Sequence, residues 1–133
     1  MVELGINDKI VLSDVRAEKG RAALSDAGKS LTAKMYSSSV NRSYYAVLHA
    51  SRSLLILQGI DPVRHDGVKT MIALHFIKTK ILPQEVMGIF KDLFSLRTDV
   101  DYGDFESVEK EDAISALKKA KIFMRIIEPV RKR

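Results

Sequence analysis

The chain has 133 residues, 46% of them hydrophobic and 29% charged, enough for one globular domain with a sizeable core. It contains no cysteine, which excludes disulfides, thiolate metal sites and cysteine nucleophiles and fits a reducing compartment. The formal net charge of +5 lies entirely in residues 110–133, where eight Lys/Arg stand against three acids (8 − 3 = +5).

No apolar run approaches the roughly 18 to 20 residues needed to cross a bilayer. The opening Met1-Val2-Glu3-Leu4-Gly5 lacks the basic flank and apolar stretch of a signal peptide. The expectation is therefore a soluble, cytoplasmic protein without a membrane role.

Helical periodicity dominates the chain, and strand-like alternation is weak. The three prolines, at 62, 83 and 129, each fall where a helix would start or stop. A first helix is expected from about Asp8 to Lys34, with Ala17, Leu24, Ala27 and Leu31 on one stripe. Ser37-Ser38-Ser39 would then supply capping hydroxyls for a second helix reaching Gln58 and stopped by Gly59. After an Asp61-Pro62 turn, a third helix spans about His65 to Lys80, with Val68, Ile72, His75 and Phe76 on one side.

Pro83-Gln84-Glu85 opens a fourth helix, with proline and an acid in its first turn. Its stripe is Val86, Ile89, Phe90, Leu93, Leu96 and Val100, and Gly103 ends it. The fifth starts near Ser107 and carries Ala113, Ala116, Leu117, Ala120, Met124 and Ile127 as far as Pro129, leaving a short basic tail over 129–133. One stripe per helix and short connections specify an all-α, antiparallel up-and-down bundle of four to five helices, in a single domain over 1–133. The second helix differs, being apolar nearly all round from Tyr44 to Leu57. It lies in the middle of the bundle, or its second face pairs with another copy of the protein.

That helix also carries Arg42, Tyr45, His49 and Arg52, at offsets 0, 3, 7 and 10. Seven residues turn through about 700°, so these groups share a stripe, with Arg42 and His49 separated by a rise of about 10 Å. A guanidinium, a phenol and an imidazole on one face suit a phosphate or a nucleotide. Equally, the arginines could pair with acids on neighbouring helices and leave Tyr45 and His49 as polar caps on a buried helix.

A second polar cluster closes the fourth helix, Arg97-Thr98-Asp99-Val100-Asp101-Tyr102-Gly103-Asp104. There Arg97 and Asp101 have the spacing of an intrahelical ion pair, and Arg97 could instead reach Tyr45. The three aspartates lack the distant Glu of a calcium loop, and His65 and His75 lack zinc-helix spacing. No metal site or cofactor is expected. No phosphate-binding Gly-rich loop or nucleophile elbow is present either. The basic C-terminal segment could meet a phosphate backbone or an acidic partner, or be a solvated helix face.

The block Asn41-Arg42-Ser43-Tyr44-Tyr45-Ala46-Val47-Leu48-His49-Ala50-Ser51-Arg52-Ser53-Leu54-Leu55 resembles the signature helix of small prokaryotic HEPN-domain proteins. The likeness continues through Gly59, His65 with Gly67-Val68, Leu96-Arg97, Asp101-Tyr102 and the Ala-rich last helix, from about residue 13 to 127. It implies an up-and-down bundle that commonly forms a homodimer and is often encoded beside a minimal nucleotidyltransferase partner. Several such proteins bind nucleotides or act as RNA-cleaving toxins of toxin–antitoxin pairs.

The RNA-cleaving members carry Arg, four to six residues, then His on a late helix. Here no His follows Arg97, and Asp101 and Tyr102 occupy that region. The function expected is thus a nucleotide- or RNA-binding, nucleotidyltransferase-partner module, with Arg42, Tyr45, His49, Arg52, Arg97, Asp101 and Tyr102 at its binding site. The alternatives are a metal-independent ribonuclease, with His49 as its candidate catalytic group, and a purely structural interaction protein.

Overall fold

A computed structural model describes residues 4–102 and 108–132, apart from the side chains of Asp101 and Tyr102. Its elements are α1 (Ile6–Thr32), α2 (Tyr36–Ile56), α3 (His65–Ile72) continued by a π-helical turn over Ala73–Ile77, α4 (Glu85–Tyr102) and α5 (Lys110–Arg131). Among the described residues there is no strand, and the fold is the all-α helical bundle that the stripes specify. No helix there is long and apolar enough to cross a membrane.

α2 is the hub, packing against α1, α3, α4 and α5. Tyr44, Val47, Leu54, Leu55 and Ile56 are all buried on it. Of the two explanations for its all-round apolarity, the first suffices: both faces are covered within one chain. On the far side the core is completed by Ile72 and Phe76, by Phe90 and Leu93 of α4, and by Phe123 and Ile127 of α5.

The α1–α2 seam is built from small residues. Ala17, Gly20, Ala23 and Ala27 face α2 rather than Leu24 and Leu31, which are only half buried. A Cβ on Gly20 would stand 3.3 Å from the Ala46 carbonyl oxygen and 3.5 Å from the Ala50 nitrogen, so glycine is what lets the two backbones approach. Serine hydroxyls stitch the same seam: Ser13 Oγ donates to the Ser53 carbonyl at 2.7 Å, and Ser39 Oγ to the Ala27 carbonyl at 2.8 Å. Ser39 is therefore an interhelical clamp rather than a cap. α2 starts at Tyr36 with no side-chain cap, its turn made instead by Lys34 at φ 60° and a Met35 N–H to Ser30 carbonyl bond of 2.8 Å.

Gly59, at φ 75°, ends the second helical stretch as its sequence position implies. Two differences from expectation have local causes. The third helix does not run regularly to Lys80, because the Lys78 N–H reaches back five residues to the Ala73 carbonyl at 2.9 Å and widens the turn. The fifth helix does not stop at Pro129 but continues to Arg131. Pro129 lies within the last turn, where few carbonyls depend on it. Arg131, 9% exposed at its side chain, is bonded to Asp14 at 2.8 Å, Glu128 at 2.9 Å and Ser13 at 3.2 Å. The expected tail is thus, through Arg131, a pinned helix end. At the other end of α5 the Asp112 carboxylate accepts the Glu109 N–H at 2.9 Å. Gly103, the expected stop of α4, and Asp104 of the aspartate cluster lie outside the described residues.

Candidate functional site

Arg42, Tyr45 and His49 project from one stripe of α2, as their spacing requires, and α4 brings Arg97 to them. The Arg42 guanidinium lies 5.0 Å from the Tyr45 ring centroid, and Arg97 lies 5.7 Å from the same ring and 5.4 Å from that of Tyr44. Two cations thus share one phenol face-on, an arrangement worth about 0.5–1 kcal/mol per contact near a surface. Arg97 Nη2 also donates to the Tyr45 hydroxyl at 3.3 Å, and Arg42 Nη2 donates to Asn41 Oδ1 at 2.9 Å. The His49 ring sits 6.1 Å from that of Tyr45, tilted by 34°.

The electrostatics follow from this crowding. His49 is half-buried, and its pKa is held below the usual histidine value first by burial, then by the positive charges of Lys19, Arg52, Arg42 and Arg16. The imidazole is therefore neutral at pH 7, able to accept or donate a hydrogen bond. Tyr44, buried against Phe90 and Phe94, has its pKa pushed up to about 12 by burial, partly opposed by Arg97. It is a core group and takes no part in proton transfer near neutrality.

Arg52 does not join the other three. It is committed to Asp61 at 3.1 Å, which also binds Arg16 at 2.9 Å. Partial burial of Asp61 is outweighed by the two arginine hydrogen bonds, which hold its carboxyl below the ordinary value. This triad ties α1 and α2 to the turn after α2, so Arg52 follows the acid-pairing alternative, whereas Arg42 pairs with no acid among the described residues. The side chains of Asp101 and Tyr102, the remaining expected site residues, lie outside the described part of the chain.

Sequence spacing misses two neighbours of the site. His65 stacks on Phe94, with centroids 3.9 Å apart and planes 21° apart, while its Nε2 lies 2.9 Å from Asp66 Oδ1. With Phe94 against Tyr44, and Tyr44 edge-on to Tyr45 at 5.3 Å, an aromatic chain runs from α3 through α4 to the α2 stripe. Lys19, on α1, adds its charge to the field at His49. Both contacts span distant segments, so no local periodicity signals them.

Chemically, the arrangement offers guanidinium donors for an anion, a phenol face, and a neutral imidazole within one patch. Among the described residues no group of three His, Asp or Glu is placed to hold a metal ion.

Relatives of the chain agree with this architecture. The model of the HEPN domain matches residues 14–130. A Methanocaldococcus jannaschii protein named "putative toxin" is 31% identical over 107 residues, which are 80% of this chain and 73% of that protein. A UPF0332 protein of Thermotoga maritima is 29% identical over 123 residues, 92% of this chain and 93% of its own length. A UPF0332 protein of Archaeoglobus fulgidus is 30% identical over 112 residues, 84% and 88% of the two chains. With the match spanning all five helices and the α2 signature folded into the hub of the bundle, the chain belongs to the HEPN domain family.

Proposed function

We propose that this protein is a nucleotide- or RNA-binding HEPN module, with the α2–α4 patch as its binding face. Arg42 and Arg97 would contact phosphate oxygens, Tyr45 would present its ring to a base, and His49 would hydrogen-bond as a neutral imidazole. The observation that carries the reading is the sharing of Tyr45 by Arg42 and Arg97, at 5.0 and 5.7 Å. Among the described residues Arg42 meets no carboxylate, its one hydrogen bond going to the Asn41 amide. A guanidinium held by a ring and an amide keeps donors for an incoming anion, whereas one locked to an acid, like Arg52, does not.

Two relatives named as putative toxins support a place in a toxin–antitoxin pair, and the reading extends, on the family resemblance alone, to a homodimer with a nucleotidyltransferase partner in the cytoplasm. The test is a melting-temperature shift with ATP, GTP, AMP and a short RNA. Wild-type protein should shift with at least one of them and Arg42→Ala should not. No shift with any ligand would remove the proposal and leave a structural interaction protein.

One observation favours a second reading. A neutral, half-buried His49 on the same stripe as Arg42 has the protonation state of a general base, as a metal-independent ribonuclease needs. RNA incubated in EDTA should then be cleaved by wild type and not by His49→Ala. Intact RNA with the wild-type protein would end that reading.

A further inference from the structure

α1 and α5 leave a groove between them. Two depressions of about 440 and 410 Å³ run along it and share Lys121 and Arg125. Leu24 and Met124 line the first, and Leu31, Leu117, Ile122 and the 45%-exposed Ile114 line the second. The lining on α5 runs from Ile114 to Glu128, about 21 Å at helical rise, its apolar part lying between Ile114 and Met124.

The α1 wall has a gap in it. Gly28 lies on the stripe between Leu24 and Leu31, and a Cβ built there would meet nothing within 4 Å. Glycine inside a helix weakens it relative to alanine, and here no close backbone approach requires glycine, in contrast to Gly20. Along the rim stand Lys118, Lys121 and Arg125, none within ion-pair distance of a described acid. By contrast, Lys119 on the adjacent face pairs with Asp92 at 3.0 Å. The segment 110–133 holds the chain's whole net charge of +5.

We propose that this groove docks an acidic amphipathic helix of a partner protein, about four turns long, its apolar stripe on the floor and its carboxylates facing Lys118, Lys121 and Arg125. Charge complementarity and the apolar floor together select that occupant. A phosphate backbone would use the cations and have no use for the floor. A second copy docked symmetrically would set Lys121, at the centre of the groove, against its own counterpart. The groove shares no residue with the Arg42–Tyr45–His49–Arg97 patch, so this proposal stands or falls separately from the nucleotide reading.

The probe is a fluorescein-labelled helical peptide of about 15 residues, with Leu at i, i+4, i+7 and i+11 and Glu on the flanking positions, titrated against the full chain by fluorescence anisotropy. Saturable micromolar binding is expected, weakened at least tenfold by the pair Lys121→Glu, Arg125→Glu. Gly28→Leu, which fills the gap, should weaken it as much while the melting temperature stays level or rises, separating blockage from misfolding. Arg42→Ala should leave it unchanged. Absence of binding would overturn the proposal, as would equal binding of a peptide of the same composition with Leu and Glu scrambled. So would displacement of the helical peptide by a short RNA at lower concentration, or a dimer in light scattering that Lys121→Glu dissolves.

Discussion

The two sides of α2 are held by opposite means. Toward α1, Ala46, Ala50, Ser39 and Ser53 meet Gly20, Ala27 and Ser13 at near-backbone distances, with hydroxyl bonds of 2.7 and 2.8 Å closing the seam. Toward α4, Arg42, Tyr45, His49 and Arg97 meet through ring faces and one 3.3 Å hydrogen bond. The first side has no room and is stitched by Ser13 and Ser39, with only the buried Ser43 Oγ lacking a described partner among its serines, and the second has long polar side chains in loose contact. A tight seam puts its free energy into the fold, whereas Arg42, held by a ring and an amide, keeps donors for a ligand. Substitutions should therefore separate cleanly, stability changing on one side and binding on the other.

The largest effect should come from widening the seam. Gly20→Leu forces the helices apart against the Ala46 carbonyl and should lower stability by about 3 kcal/mol in urea denaturation; a loss under half of that would mean α1 is free to shift. Next comes Ser13→Ala, which removes the donor to the Ser53 carbonyl and an acceptor for Arg131. About 1–2 kcal/mol is expected by the same measurement.

The patch should respond differently. Arg42→Ala gives up a cation–π contact and should cost under about 1 kcal/mol, while abolishing any nucleotide-induced rise in melting temperature. A large destabilisation without change in ligand response would erase the contrast between the two sides.

The smallest effect is a pH dependence. His49 titrates below its ordinary value of 6.5 in the folded chain, so the unfolded chain takes up a proton first as pH falls. Stability should begin to drop near pH 6.5 and go on dropping until His49 itself protonates in the folded state. His49→Gln should flatten melting temperature against pH in that window. Asp61 and Glu128 act lower: their carboxyls are depressed from ordinary values of 3.8 and 4.5, so their contributions are full above about those values and fade below them. A profile for His49→Gln that matches wild type between pH 7 and pH 5 would show that the imidazole is not constrained as described.

The features legible in the sequence are the local ones. Stripe and stop are encoded within a few residues, so the five helical stretches and the Gly59 stop emerge directly, whereas the expected Ser37-Ser38-Ser39 cap does not, Ser39 bonding across to α1 instead. Pro129 misleads because a proline takes from the helix only the N–H that the carbonyl four residues earlier, that of Arg125, would accept, and Arg131 beyond it holds the end through side chains on α1. The π turn after Ile72 has no residue signature of its own. Small residues are equally opaque. Ala, Gly and Ser make weak stripes, so periodicity points α1 toward docking through Leu24 and Leu31, which in fact line the groove toward α5.

The site is legible in part. The helical period places Arg42, Tyr45 and His49 together, and Arg97 reaches Tyr45 as one of the two options for it. Arg52, at an equally good offset, turns to Asp61 because a turn residue supplies a carboxylate that periodicity cannot locate. His65 lacks the spacing of a metal ligand, and its stacking on Phe94 arises from a contact between segments 29 residues apart.

The most direct test of the contrast is a calorimetric titration of ATP, GTP and a short RNA into wild type, Arg42→Ala and Ser13→Ala at low salt. Wild type and Ser13→Ala should bind at least one ligand with equal affinity, and Arg42→Ala should bind it at least tenfold more weakly with its fold intact. Equal affinity for all three proteins, or no binding by wild type, would contradict the assignment of binding to the α2–α4 patch.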